Sequence, residues 1–196
     1  MMQKVPTPTL KAELIYLEPI GPQHISDEYA GWLNDPEVNR FLDVRFYVPQ
    51  DRETLKEYVD SFQAKIENYG WAIKTIENGT MIGTISMPRI DRVHLTGGIG
   101  MMIGDKRYWG TRAAREAFEL VVEFAFEILG LRRLAEHNVA LNHQSNFMLR
   151  QAGFRHEGTL KEAYRLSSGV DTFVDGFEFA LLADAWRERR SRRERR

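Results

Sequence analysis

The sequence predicts a mixed α/β fold, a sheet with helices on both faces. Three observations predict it. Patterned segments run in the order strand, helices, three strands, helix, strand, helix, two strands. Asn78-Gly79 between two apolar runs is a tight-turn signal, so consecutive strands are joined by a hairpin. The stretch from Gly110 to Leu129 carries one apolar stripe at helical spacing and ends at Gly130, a residue suited to closing a helix.

Each element follows from its pattern. Leu10 to Pro19 contains an alternating apolar stretch and reads as a strand. Asp27 to Leu33 and Pro36 to Leu42 read as short helices, the second with Pro36 in the first turn and Asp35 or Asn34 as cap. Leu55, Tyr58, Val59, Phe62 and Ile66 recur at helical spacing. Trp71 to Ile76, Met81 to Met87 and Gly98 to Ile103 form a meander. In the long helix Ala117, Val121, Phe124 and Ile128 make the buried stripe, and Glu116, Glu119, Glu123 and Glu127 a wet face. A strand at Leu134 to Leu141, a helix from His143 to Gln151 and a hairpin of Phe154 to Ser167 with Thr172 to Leu182 complete the order.

Composition narrows the class. The 196 residues are 43% hydrophobic, enough for one domain with a full core, and 28% charged. The expectation is a single domain, its core at about 12–186 and an Arg-rich tail at 187–196. With no cysteine there is no disulfide, thiolate metal site or Cys nucleophile. No apolar run is long enough to span a membrane, and Met1 to Thr9 lacks a signal peptide's apolar stretch, so a cytoplasmic location is expected. The net charge of −1 is uneven: Arg187 to Arg196 holds seven Arg and two Glu, +5, which leaves −6 for the body. An acidic body attracts a cationic substrate rather than nucleic acid. The tail reads as a solvated, frayed terminus, or as a weak contact with RNA.

Two stretches carry chemistry. The first runs from Ile103-Gly104-Asp105 through Tyr108-Trp109-Gly110-Thr111-Arg112-Ala113-Ala114. A strand ends, a loop passes Gly110 and a long helix starts. The first N–H groups of a helix lack internal partners and sit at the positive end of its dipole, so they suit a pyrophosphate. Gly110 keeps the approach clear, and Ala113 and Ala114 keep the first turn slim. The plain alternative is an ordinary strand-to-helix connection. The second stretch is Asn142-His143-Gln144-Ser145-Asn146, then Arg150, Gly153-Phe154 and Glu157-Gly158. Asn142 caps the short helix, Ser145 lies one turn on, and Arg150 meets a phosphate or solvent.

Together these stretches resemble the GNAT superfamily of N-acetyltransferases, most closely the branch of ribosomal-protein N-terminal and sugar-nucleotide N-acetyltransferases. The matching motifs are Ile103 to Gly110, Asn142 to Ser145, Gly153 to Gly158, the early Trp32-Leu33-Asn34-Asp35-Pro36-Glu37-Val38, and Asp175 ahead of Phe179 to Leu182 and Trp186. The resemblance covers roughly residues 12–186. It implies a mostly antiparallel sheet of six to seven strands, splayed at its centre, and acetyl-CoA as co-substrate without a metal. Met101, Met102 and Ile103 would pair with pantetheine, with an N–H near Met102 polarising the thioester carbonyl. Tyr108, Trp109, Gly110, Thr111, Arg112 and Ala113 would hold the pyrophosphate. Asn142 would bind the pantetheine arm, and Asn146 and Arg150 the far end. Arg112 departs from the family's Gly or Ala; its side chain swings outward or adds charge near a phosphate.

An amine then attacks directly, with no covalent enzyme intermediate. Many superfamily members place a Tyr acid where this chain has Leu149, so the resemblance implies Ser145 as the acid, with Tyr164 as alternative. The base is sought among Glu136 and His137, then Glu157, Glu162 and Asp175. Glu136 and His137 are neighbours on a strand, so at most one faces a given side. Arg40, Phe41, Arg45 and Phe46 lie where the superfamily roofs the acceptor site. They hold an anionic part of a substrate, or make a surface ion pair beside core Phe. The acceptor is a small-molecule or peptide amine. Two further readings stay open, a CoA-binding protein without turnover and a general α/β binding module. A homodimer through the closing strands is a further expectation of the resemblance.

Overall fold

The structure, a computed structural model, describes residues 5–47, 49–64, 68–167 and 171–195. In chain order it has β1 (Leu10–Lys11), β2 (Ile15–Pro19), α1 (Asp27–Asn34), α2 (Arg52–Ala64), β3 (Tyr69–Thr75) and β4 (Met81–Met87). Next come β5 (Thr96–Gly97), β6 (Gly100–Ile103), α3 (Arg112–Glu123), β7 (Arg133–Val139), α4 (His143–Ala152), β8 (Arg155–Arg165), β9 (Phe173–Leu182) and α5 (Ala183–Glu194). The chain divides into two compact units, Met1–Arg89 with Ile99–Val121 and Ile90–Gly98 with Val122–Arg196.

The first unit holds a five-stranded sheet in the order β1-β2-β3-β4-β6, antiparallel throughout. The expected strand from Leu10 to Pro19 is two strands, folded back so that Leu10 faces Leu17. Gly79 adopts φ +70° in the turn between β3 and β4, and Asn78 Oδ1 accepts from Thr75 Oγ1 at 2.6 Å. Ser26 caps α1, accepting from Tyr29 N at 3.1 Å. Tyr29, Ala30, Leu55, Val59, Phe62 and Met102 close a core cluster with Ile20. The expected helix from Pro36 to Leu42 does not form. Asp35 caps a single turn, accepting from Glu37 N at 2.9 Å, and Leu42 leads into a short 3-10 helix at Asp43–Phe46. The expectation at Ile66 lies outside the described residues.

The second unit holds the order β5-β7-β9-β8, with β5 parallel to β7 and the other pairs antiparallel. Among the described residues nine strands form; beyond the expected six to seven are β1 and β5, two residues each.

The long helix departs from its expected stripe. After Glu123 it continues as a π-helical turn, Phe124–Ile128. One extra residue per turn rotates the following side chains. Phe126 is therefore buried (1% exposed) and Ile128 is out in solvent (57%). Glu116, expected on a wet face, is buried, where it accepts from Leu14 N at 2.8 Å and pairs with Arg112. The Arg-rich tail also departs from expectation. Up to Glu194 it lies in helix α5, held by pairs of Arg187 with Glu127 and Arg190 with Glu123, and by Arg189 donating to Gln151 O.

Candidate active site

In the first unit, β6 is the terminal strand of its sheet. A terminal strand keeps one row of backbone N–H and C=O groups outside the ladder. Met102, buried, lies opposite Thr84 in register, between the half-buried Met101 and Ile103. The loop after β6 is tied down at each step. Asp105 caps a short 3-10 turn, Lys106–Tyr108, and chelates the Arg107 guanidinium, which holds its carboxyl below the ordinary range. Trp109 Nε1 donates back to Ile103 O at 2.8 Å. Lys106 pairs with Asp35 at 2.8 Å and with Glu37, joining this loop to the early Trp32–Val38 segment.

Gly110 has φ +69°. A Cβ there would meet nothing within 4 Å, so the position needs glycine for its conformation and not for room. Thr111 Oγ1 donates to Tyr108 O at 2.8 Å, and α3 starts at Arg112 with Ala113 buried beneath it. The N–H groups of this first turn have no carbonyl in helical register to bond. Arg112 folds onto Glu13 and Glu116, at 3.0 Å from the latter, so its side chain is turned away to carboxylates.

In the second unit, Asn142 caps α4 by accepting from Ser145 N at 3.2 Å. Ser145 Oγ accepts from Asn138 Nδ2 of β7 at 2.8 Å. Asn146, a candidate for the far end of the cofactor, is buried (2% exposed), its Nδ2 donating to Val139 O and Ala140 O at 3.3 and 3.0 Å. It fastens α4 to the end of β7. Arg150 is exposed and lies 5.3 Å over the Phe179 ring. Leu149 is a core residue, 2% exposed.

Residues 15–155 match the family model for the acetyltransferase (GNAT) domain. The chain belongs to the GNAT acetyltransferase family. Among its relatives, the uncharacterized N-acetyltransferase YoaA of Bacillus subtilis (strain 168) is 28% identical over 174 residues, 85% of this chain and 94% of that protein. The probable N-acetyltransferase YjcK of the same organism is 30% identical over 165 residues, 81% of this chain and 90% of that protein. The spermidine N-acetyltransferase of Vibrio cholerae, solved with CoA and spermine, shares the fold. Its TM-score is 0.76 at 16% identity, over 88% of this chain and 97% of that one.

The reaction of this family, acetyl transfer from acetyl-CoA to an amine, has two protons to manage. The candidate bases differ sharply in setting. Glu136 is buried (5% exposed) and His137 is exposed, as alternation along β7 requires; His137 Nδ1 lies 3.3 Å from Glu178. Glu157 is bound by the Arg133 fork and Asp175 by Lys161 at 2.9 Å, and both carboxyls are held below their ordinary range by those cations. A carboxylate so engaged is a weaker proton acceptor. Glu162 has a left-handed backbone, φ +51°, and its N–H donates to Asp175 at 3.1 Å. The Tyr164 ring lies where a Cβ on Gly176 would fall, 2.5 Å away, so it packs across the β8–β9 pair.

Around the 3-10 helix after α1, Arg40 lies 5.2 Å over Phe41 and Arg45 4.2 Å over Phe46. Arg45 Nη1 donates to Leu42 O at 2.7 Å, and burial lowers its pKa. These guanidiniums stack on their own segment. Two features were missed from sequence. One is the contact of Trp32 with Gly104, whose partners both sat in recognised motifs. The other is Asn138, which no motif marks.

Proposed function

We propose that this N-acetyltransferase takes acetyl-CoA as donor and acetylates a primary amine by direct attack. The acceptor class is an amino-sugar nucleotide, a protein N-terminus or a small amine, as in the branch its motifs resemble. The observation that carries the donor assignment is the left-handed Gly110 between terminal strand β6 and the first turn of α3. Backbone N–H groups there suit a pyrophosphate, and the outer row of β6 suits an amide-bearing arm. Arg112, spent on Glu13 and Glu116, leaves that cradle to the backbone.

Acetyl-CoA supplies a thioester whose carbonyl carbon takes the amine's lone pair while its C–S bond breaks and sulfur leaves with the electrons. Ser145 then gives the proton of its Oγ to sulfur. The proton shed by nitrogen passes to the base and from there, through solvent, to Ser145 Oγ, so one proton is lost and one gained. What supports Ser145 is its hydrogen bonding: Oγ accepts from Asn138, which leaves its own hydrogen to donate. For the base, Glu136 is favoured for its burial on β7, while Glu157 and Asp175 are held by Arg133 and Lys161.

Calorimetric titration with acetyl-CoA, run beside free-thiol release on a panel of amines, tests the reading. Binding with thiol release on one amine class is expected and names the acceptor. Binding with no release on any amine selects the alternative, a CoA sensor without turnover. No binding overturns the donor assignment.

A further inference from the structure

We propose that Asn138 is a positioning residue that aims the Ser145 hydroxyl outward as a proton donor. The proposal rests on the reading of Ser145 as the acid, and it is carried by a chain of hydrogen bonds whose directions are forced one after another. Backbone carbonyls only accept. Val139 O and Ala140 O therefore fix Asn146 with its NH2 toward them. That leaves Asn146 Oδ1 facing Asn138, 3.2 Å from Asn138 Nδ2. An amide oxygen also only accepts, so Asn138 presents its NH2 on this side. The same Nδ2 lies 2.8 Å from Ser145 Oγ, and the serine has to be the acceptor. Its own hydrogen is then directed away from Asn138.

The chain of directions starts at the main chain and involves no ionisable group, so it holds across pH. Ser145 N is occupied independently by the Asn142 cap, which fixes the Cα of Ser145 while Asn138 fixes its hydroxyl. Glu136, two residues before Asn138 on β7, shares its side of the strand. That side of β7 thus carries both the favoured base and the device that sets the acid.

Kinetics on four variants test this. Ser145→Ala is expected to lower kcat by about 100-fold, the usual scale for a general acid. Asn138→Ala is expected to lower kcat about tenfold, the scale of one lost hydrogen bond, with KM for acetyl-CoA kept within about twofold. The double variant is expected to be no slower than Ser145→Ala, because Asn138 works only through that hydroxyl. Asn138→Asp reverses the bond when ionised, drawing the serine proton inward, and donates again when protonated. Its kcat relative to wild type at the same pH should rise as pH falls through the carboxylate's titration. A merely structural Asn138 gives no such profile.

If Ser145→Ala loses activity while Asn138→Ala keeps wild-type kcat, or if the two losses multiply in the double variant, the positioning role is wrong and the acid stands. If Ser145→Ala keeps full turnover across pH, the acid assignment fails and takes the positioning role with it.

Discussion

A Cβ built on Gly104 lies 2.0 Å from Trp32 Cδ2, while one built on Gly110 meets open space at φ +69°. The two glycines of one motif therefore answer to different physics. Gly104→Ala overpacks a contact and should destabilise by about 1–3 kcal/mol. Trp32→Leu should recover part of that loss in the double variant. Gly110→Ala should lose about 1–2 kcal/mol through its backbone alone and show no coupling to Trp32. Denaturant titrations of the wild type, the three single variants and the two double variants with Trp32→Leu check this; coupling at Gly110 would mean the loop is strained by packing after all. His24 offers a second test. It is 5% exposed, its Nδ1 accepts from Gly21 N at 3.1 Å, and Nε2 stands 3.6 Å from Glu18, which Lys74 already holds at 2.9 Å. Burial is the main cause of its lowered pKa, with Lys74 adding to it and Glu18 opposing. The unfolded chain, titrating near the ordinary value of about 6.5, then binds this proton first. His24's contribution to stability is complete above that pH and declines as pH falls below it. His24→Gln should flatten the fall in stability as pH drops below about 6.5; an unchanged slope would assign it to other groups.

At the scale of elements, the π-helical turn decides which apolar side chain is buried. Phe126→Ala should cost about 3–5 kcal/mol, because the ring is 1% exposed and packs 5.5 Å from Trp186. Ile128→Gln should change stability by no more than about 0.5 kcal/mol. Thermal unfolding of both checks the register, and a large loss at Ile128 would restore the regular helix read from sequence. That error shows what a periodic pattern can carry. Met81 to Met87 is legible residue for residue, since an apolar run ended by Asn78-Gly79 on one side has one interpretation. The stripe through Ala117, Val121 and Phe124 is legible until the period changes, and nothing in the residues marks the change. Helix α5 was illegible because one Trp among arginines leaves no stripe; its hold comes from Phe126 and from Glu123 and Glu127. The loop from Ile103 to Ala113 was legible as a motif, because glycine and helix-start chemistry are local. The Asn138 network was not, since it joins β7 to α4 through side chains that no spacing rule connects.

At the scale of the whole molecule, the charge is unevenly placed and partly self-compensated. The last ten residues carry +5 against −6 elsewhere. Among the described residues, Arg187, Arg190 and Arg192 each pair with a carboxylate, Glu127, Glu123 and Glu188. The field of each pair beyond a few ångströms is therefore reduced for both partners, so an approaching ion senses the net charge of the surface nearest to it. An amine acceptor is a cation until it gives up its proton, and an acidic surface raises its local concentration. Salt removes that advantage, since the screening length shrinks from about 10 Å at 0.1 M to about 3 Å at 1 M. For a small polycationic amine, kcat/KM should fall several-fold between those salt concentrations with kcat itself held. An acceptor bearing a diphosphate should show the opposite slope, and Arg45→Ala should then raise its KM. The sign of the salt dependence separates the acceptor classes before any is identified. A flat response for every amine would mean that the charge distribution plays no part in capture.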